Sequence, residues 1–413
     1  MERNIFIRNH EEELKRCLHV IEQELFGEII PFWEQRVRAE GGFGYTICYD
    51  REGRKTKDIR PGWFVGRTMH TFATLYNEME EKEEWFSIAE AGRKALDTEF
   101  CNPDGRFCQM MDAKGNVLEG PVSIFTDHFM VKGLYAYVLA LKRRGEKWQR
   151  EAGIAKRLTE ILFENVKRQE VLSREGIPQG FQKHAVNFMT LIVALESRKL
   201  YGDTYRSVLE ECVHKSLYEF ASDRYNKPFE YISISGEPLL EGSGRVIDAG
   251  HTMEALWFSM TAGLELGDRS ILERAGVVLD WVIDSCYDRE FGGFYQNVDA
   301  LEHYPEKAFE ENDYAGNPVR WDDKIWWVQA EGLYALAMSA LYNENERHFQ
   351  YFMKEFDYVE KYFRDRKYGE WYAVLQRDNS IYMDAKGFEL KGPYHVPRCF
   401  MNLYTLLNIH CTP

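Results

Sequence analysis

Phe291-Gly292-Gly293-Phe294-Tyr295 is the clearest copy of a glycine–aromatic turn that punctuates this chain. Outward from it, related turns stand at Glu40-Gly41-Gly42-Phe43-Gly44-Tyr45, Asp104-Gly105-Arg106-Phe107, Tyr225-Asn226-Lys227-Pro228-Phe229-Glu230-Tyr231 and Tyr368-Gly369-Glu370-Trp371-Tyr372. Successive copies lie 63, 124, 64 and 76 residues apart, so the unit is about 62 residues with one degenerate copy. The long interval places that copy near Ser173-Arg174-Glu175-Gly176. Between the turns run segments of helical periodicity, from Asp127 to Leu141, from Met189 to Leu200 and from His251 to Leu264. Two helices, a short strand and a turn fill each unit, and six units account for nearly the whole chain. This pattern predicts an all-α (α/α)6 barrel with short β-hairpins in its rim loops. No Pro-, Ser- or Gly-rich linker interrupts it, so residues 1–413 read as one catalytic domain. An open helical solenoid is the alternative that shares such a repeat.

The composition narrows the function. A chain of 413 residues, 45% of them apolar, can bury a substantial core. Its net charge is −15 and its basic residues are dispersed, which argues against nucleic acid or an anionic membrane as a partner. No apolar run approaches the roughly 18 to 20 residues of a membrane span. Met1-Glu2-Arg3-Asn4 leads into an acidic amphipathic segment, unlike a signal peptide. Eight cysteines without a CxxC pair read as reduced, mostly buried thiols, and a cytoplasmic protein is expected. Ten Trp and 24 Tyr serve first as core, but as a population they also suit a carbohydrate site, where flat rings stack on sugar C–H faces.

Chemistry is sought among polar residues at helix starts in apolar surroundings, because inner helices of such a barrel converge on one pocket. In Asp248-Ala249-Gly250-His251-Thr252-Met253-Glu254, His251 and Glu254 stand three apart on one helical face. An imidazole with a carboxylate neighbour reads as a general base; the plainer reading is a capped helix start with a surface histidine. In Lys391-Gly392-Pro393-Tyr394-His395-Val396-Pro397-Arg398, Pro397 suits a first helical turn and places His395 just before the helix. Arg398 then sits at the positive end of the helix dipole, against its local preference, as if held for an anion. Glu331 lies in a helix that is apolar nearly all round, so it should face a polar cavity or a cation. Arg67, early in another apolar helix, is a candidate ligand for a sugar oxygen. For these last two the plainer reading is a structural Arg–Glu pair. There is no GxxxxGK[ST], no strand–GxGxxG–helix, no HExxH and no clustered Cys/His set, so neither a nucleotide motif nor a metal site is expected.

Taken together, GHTMEALW (from Gly250), KIWWVQAEGLYAL (from Lys324), KGPYHVPR (from Lys391), GRTMHTFATLY (from Gly66) and SIFTDHF (from Ser123) resemble the N-acylglucosamine 2-epimerase family. That family includes cellobiose 2-epimerases and aldose–ketose isomerases, and the resemblance runs from Ile30-Pro31-Phe32-Trp33 to the C-terminal helix. It implies an (α/α)6 barrel and metal-free exchange of the proton at sugar C2. By the same resemblance His251 and His395 match the acid/base pair, and Arg67, Glu254, Glu331 and Arg398 match positions lining the pocket. No cofactor is implied. Some family members are activated by ATP, and no nucleotide site is placed in this sequence. A homodimer is implied as well. One departure concerns the third histidine of the cellobiose and isomerase branches: here Thr190 or Leu191 stands where it is expected, in His184-Ala185-Val186-Asn187-Phe188-Met189-Thr190-Leu191. The sequence therefore sides with the N-acylglucosamine branch, with epimerisation or isomerisation of an unmodified hexose or disaccharide as the alternative. A glycoside hydrolase built on Glu254 and Glu331 would leave both histidines without a role. A non-catalytic binding protein would leave the whole constellation idle.

Overall fold

The computed structural model describes residues 5–39, 43–301, 312–314 and 317–411. Met1-Glu2-Arg3-Asn4 and Glu40-Gly41-Gly42 of the first turn lie outside the described residues. The chain divides into two compact units, one made of Met1–Pro31, Val213–Ala385 and His395–Pro413, the other of Phe32–Cys212 and Lys386–Tyr394.

In the first unit, the helices Ala249–Leu266, Trp326–Asn343 and His395–Cys411 are buried along most of their length. Glu11–Glu24, Arg269–Cys286 and Glu346–Tyr362 each bury one face only. Composition accounts for the difference, since the buried helices are apolar nearly all round and the others carry a charged face. Their ends are defined by short polar side chains. Asp248 accepts the backbone N–H of His251, and Asp268 and Asn345 cap the next helices in the same way. Gly267, in the left-handed region at φ 68°, ends Ala249–Leu266.

The second unit repeats the arrangement. Gly62–Thr74, Ile124–Arg143 and His184–Tyr201 are the buried helices, and Glu83–Lys94 and Gln149–Asn165 pack outside them. Gly62–Thr74 and Ile124–Arg143 approach backbone to backbone. A Cβ on Gly66 would lie 2.2 Å from the carbonyl carbon of Phe129, and one on Gly133 would lie 2.5 Å from the oxygen of Gly66. Only glycine permits that contact.

The repeating turns are small hairpins. Cys101 bridges Phe107, Ala221–Ser222 pairs with Lys227–Pro228, Tyr287 bridges Phe294 and Arg364 bridges Trp371, all antiparallel. Gly105, Asn226, Gly293 and Gly369 supply positive φ at the reversals. The degenerate copy is a single 3₁₀ turn, Ser173–Glu175, closed by Gly176 at φ 71°. The Lys324 motif holds one such hairpin. Lys324 Nζ lies 2.9 Å from Asp288 and donates to the Gly292 carbonyl at 2.7 Å. The Gln329 amide takes the Phe294 N–H at 2.7 Å and returns a bond to its carbonyl at 2.8 Å. Two strands then lead straight into buried helices: Val246–Asp248, paired with Asn297–Asp299, and Lys324–Ile325, paired with Val374–Leu375. The first residues of those helices are thereby fixed in place.

The expected helical spans are found and run longer, as Ile124–Arg143, His184–Tyr201 and Ala249–Leu266. All eight cysteines are free thiols, and burial pushes Cys17, Cys48 and Cys286 up to about 12, which keeps them unreactive near neutrality. Among the described residues no helix is long and apolar enough to cross a membrane.

Candidate active site

The first unit gathers four of the six candidate residues around one ion-pair cluster. His395 begins the helix His395–Cys411, and Arg398 follows one turn later beyond Pro397. Arg398 Nη2 donates to Glu254 Oε1 and to Glu331 Oε1, both at 2.6 Å. Glu331 Oε1 lies 2.7 Å from His395 Nδ1, and Glu331 Oε2 accepts the Trp257 indole N–H at 2.7 Å. All four charged or titratable side chains are buried, at 6% exposure or less. A carboxylate only accepts hydrogen bonds, so His395 Nδ1 donates to Glu331, and Arg398 Nη2 lies 3.4 Å from the same nitrogen. Two carboxylates facing one guanidinium leave a negative charge that an imidazolium at His395 would balance. The Trp257 ring, 5.0 Å from the Arg398 guanidinium carbon, covers the cation.

His251 is reached from the same helix as Glu254, but the two do not pair. The expected His251–Glu254 partnership is corrected: Glu254 is taken by Arg398, and the imidazole meets different acids. His251 Nδ1 lies 3.1 Å from Asp248 Oδ2 and 3.2 Å from Glu230 Oε1. The first turn of the helix brings Asp248 back onto the ring while its other oxygen caps the His251 N–H at 2.9 Å. His251 is half-buried, its side chain 28% exposed, so it can meet a ligand.

Trp327 links the two histidines. Its ring centroid is 5.4 Å from that of His251 and 5.6 Å from that of His395. A Cβ on Gly250 would lie 2.2 Å from Trp327 Cζ3, so glycine at 250 lets the indole seat beside the helix. Glu230, Trp327 and Trp257 were not assigned roles from the sequence. Glu230 stood in a turn read only as a repeat, and both tryptophans passed as core.

Arg67 belongs to the second unit. Its guanidinium carbon lies 4.0 Å from the Phe129 centroid, 4.9 Å from Tyr394, 5.1 Å from Trp63 and 5.3 Å from Phe64. The planar cation is bordered by these four rings, which hold its orientation. Of the two residues expected at the place of the third histidine, Thr190 is buried with its hydroxyl 3.2 Å from Nε2 of His128, and Leu191 is fully buried. His128 Nδ1 bonds to the Ile124 carbonyl at 2.9 Å, and burial lowers the ring to about 4. His184 is the first residue of its helix, buried edge-on against Phe188.

Donor atoms of Glu254, Glu331 and His395 lie within 4.8 Å of one another, a spacing that could hold a metal ion. Arg398 Nη2, at 2.6 Å from both carboxylates, supplies the positive charge in that place. The donor set is thus already engaged by a side-chain cation.

The sequence pattern of the N-acylglucosamine 2-epimerase (GlcNAc 2-epimerase) family matches residues 41–399. The chain is 26% identical over 408 residues to the N-acylglucosamine 2-epimerase of Homo sapiens, covering 94% of this chain and 89% of that one. It is 23% identical to the cellobiose 2-epimerase of Dictyoglomus turgidum, covering 92% of this chain and 96% of that one. The solved structure of a cellobiose 2-epimerase from Bacillus thermoamylovorans superposes with a TM-score of 0.78 at 16% identity, over 95% of this chain and 99% of that one. This likeness bears out the (α/α)6 fold class expected from the repeat. The chain belongs to the N-acylglucosamine 2-epimerase family and is an isomerase of the racemase and epimerase class.

Proposed function

We propose that this enzyme interconverts N-acyl-D-glucosamine and N-acyl-D-mannosamine, with His251 and His395 exchanging the proton at C2 of the open-chain sugar. The observation that carries the reading is a pair of imidazoles, each met at Nδ1 by carboxylate and both bordering Trp327. Relatives that are named N-acylglucosamine 2-epimerases, matched over nearly the full chain, support the substrate. Thr190 and Leu191 in place of a third histidine point the same way.

In the open-chain sugar the C2 hydrogen is acidic because it lies next to the C1 carbonyl. One histidine takes that proton on Nε2, and the electron pair moves into an enolate whose charge rests on the C1 oxygen. The other histidine returns a proton to the opposite face of C2, and the configuration inverts. Arg398 is assigned to offset the negative charge that develops on oxygen, with Glu254 and Glu331 holding its guanidinium. Arg67, Glu254, Glu331 and Arg398 are assigned to substrate binding. No step consumes a cofactor, and any ATP effect would be regulatory. The reading takes 1–413 as a single catalytic domain in a cytoplasmic homodimer whose partner is a small sugar, with neither nucleic acid nor membrane involved.

Proton NMR of the purified enzyme in D2O with N-acetylglucosamine, N-acetylmannosamine, mannose and cellobiose tests the proposal. Deuterium should enter C2 of the N-acetylhexosamines and fail to do so in His251→Ala and His395→Ala. Exchange into mannose or cellobiose alone would keep the proton chemistry and overturn the substrate. Full exchange in the His251→Ala enzyme would overturn the site.

A further inference from the structure

We propose that Glu230 is a positioning residue for His251, fixing the imidazole through Nδ1 and strengthening its hold on a proton at Nε2. The inference rests on the assignment of His251 to proton transfer and adds a residue to it.

Glu230 reaches His251 from a separate element. It lies just beyond the hairpin strand Lys227–Pro228, 21 residues before the imidazole it meets at 3.2 Å, and it is 5% exposed. Its backbone is tied on either side. Phe229 N–H donates to Phe220 O at 2.8 Å, and Glu230 N–H donates to Val246 O at 3.2 Å. Val246 opens the strand that ends at Asp248, so both carboxylates facing Nδ1 are carried by neighbouring backbone.

The two acids differ in duty. Asp248 is bound to the helix end, where Oδ1 caps the His251 N–H at 2.9 Å. Its place near the ring therefore follows from capping alone. Glu230 caps no helix, and its carboxylate is brought to Nδ1 by the turn that precedes it. With two acceptors at Nδ1 the proton must sit there, and Nε2 is left as the atom that takes and returns the C2 proton. Among the described residues Asp248 and Glu230 face His251, and from Trp326–Asn343 it meets the neutral Trp327 ring. Glu254, the next acid on its own helix, is engaged by Arg398. His395 has a separate carboxylate, Glu331, so an effect of Glu230 should be confined to His251.

The test uses the full chain and two readouts. Imidazole ¹H–¹⁵N NMR, with signals assigned by their loss in His251→Ala and His395→Ala, follows both titrations. Glu230→Gln keeps the shape and an acceptor oxygen while removing the charge. It should lower the His251 midpoint by about one pH unit and leave that of His395 in place. In C2 exchange kinetics, Glu230→Gln should lose about tenfold and Glu230→Ala about a hundredfold in kcat, with KM within about twofold. The acidic limb of the kcat profile should move to lower pH in Glu230→Gln. An unchanged His251 titration in Glu230→Gln, or a loss confined to KM, would overturn the proposal. Should the wild-type enzyme exchange no sugar, the function fails, and the NMR titration still decides Glu230. If Glu230→Ala does not fold, Glu230→Gln and Glu230→Asp with native melting temperatures carry the test.

Discussion

Gly250→Ala is a one-carbon change that should cost the enzyme most of its activity. The added Cβ would stand 2.2 Å from Trp327 Cζ3, 2.5 Å from Cη2 and 2.9 Å from Cε3. Ordinary contact begins near 3.4 Å, so the ring must retreat by about 1.2 Å, the difference from 2.2 Å. That ring lies between His251 and His395 at 5.4 and 5.6 Å, so the shift is felt at both imidazoles. A misplacement of about 1 Å is worth about a hundredfold in rate. Overpacking should cost about 1–3 kcal/mol, offset by up to about 1 kcal/mol from the better helix propensity of alanine. Gly153→Ala is the control, because it lies in a helix with nothing within 4 Å of the added carbon and should be neutral or stabilising. C2 exchange in D2O and thermal melting measure the two effects. The Trp327→Leu background adds a check, since the Gly250→Ala penalty should largely vanish there. A Gly250→Ala enzyme that exchanges at the wild-type rate and melts no lower would refute the argument.

Three further perturbations test the buried charges. Arg398→Met leaves Glu254 and Glu331 buried without their cation and should cost about 3–5 kcal/mol in urea denaturation; Glu254→Gln added to it should recover part. Burial raises Glu355 to about 8, its oxygens having no hydrogen-bond partner among the described residues. The native state thus holds a proton that the unfolded chain has released above about 4.5, so stability falls as pH rises from there to about 8. The slope is up to about 1.4 kcal/mol per unit, and Glu355→Gln should abolish it in melts compared at pH 6 and 9. His128 runs the other way, since burial lowers it from the ordinary histidine value of 6.5 to about 4. Its contribution is present above the unfolded value and is lost as pH falls through that window. Urea titrations at pH 7 and 4.5 should therefore show a smaller acid loss in His128→Gln.

The sequence by itself determined the repeat, the helices and the residues that close them. Glycine and asparagine at positive φ leave a mark in the chain because few other residues tolerate that backbone, so Gly105, Asn226, Gly293 and Gly369 could be read directly. Helical periodicity is equally local, and so are the capping positions of Ser123 and Asp248. His251, His395, Glu331 and Arg398 stood out because polar groups in apolar helices need a reason.

What only the tertiary structure decided was who meets whom. Helical spacing paired His251 with Glu254, three residues along one face. In the fold Arg398, from a helix 144 positions away, takes Glu254 at 2.6 Å, since a buried carboxylate gains more from a guanidinium than from a half-exposed ring. The carboxylates of His251 come instead from its own cap and from Glu230 in a preceding turn. The sequence equally presents Trp327 as core, and only the fold sets its ring beside both imidazoles. Backbone preferences act over a few residues and are written in them. The environment of a side chain is set by whichever elements pack around it, and that is decided only when the chain folds.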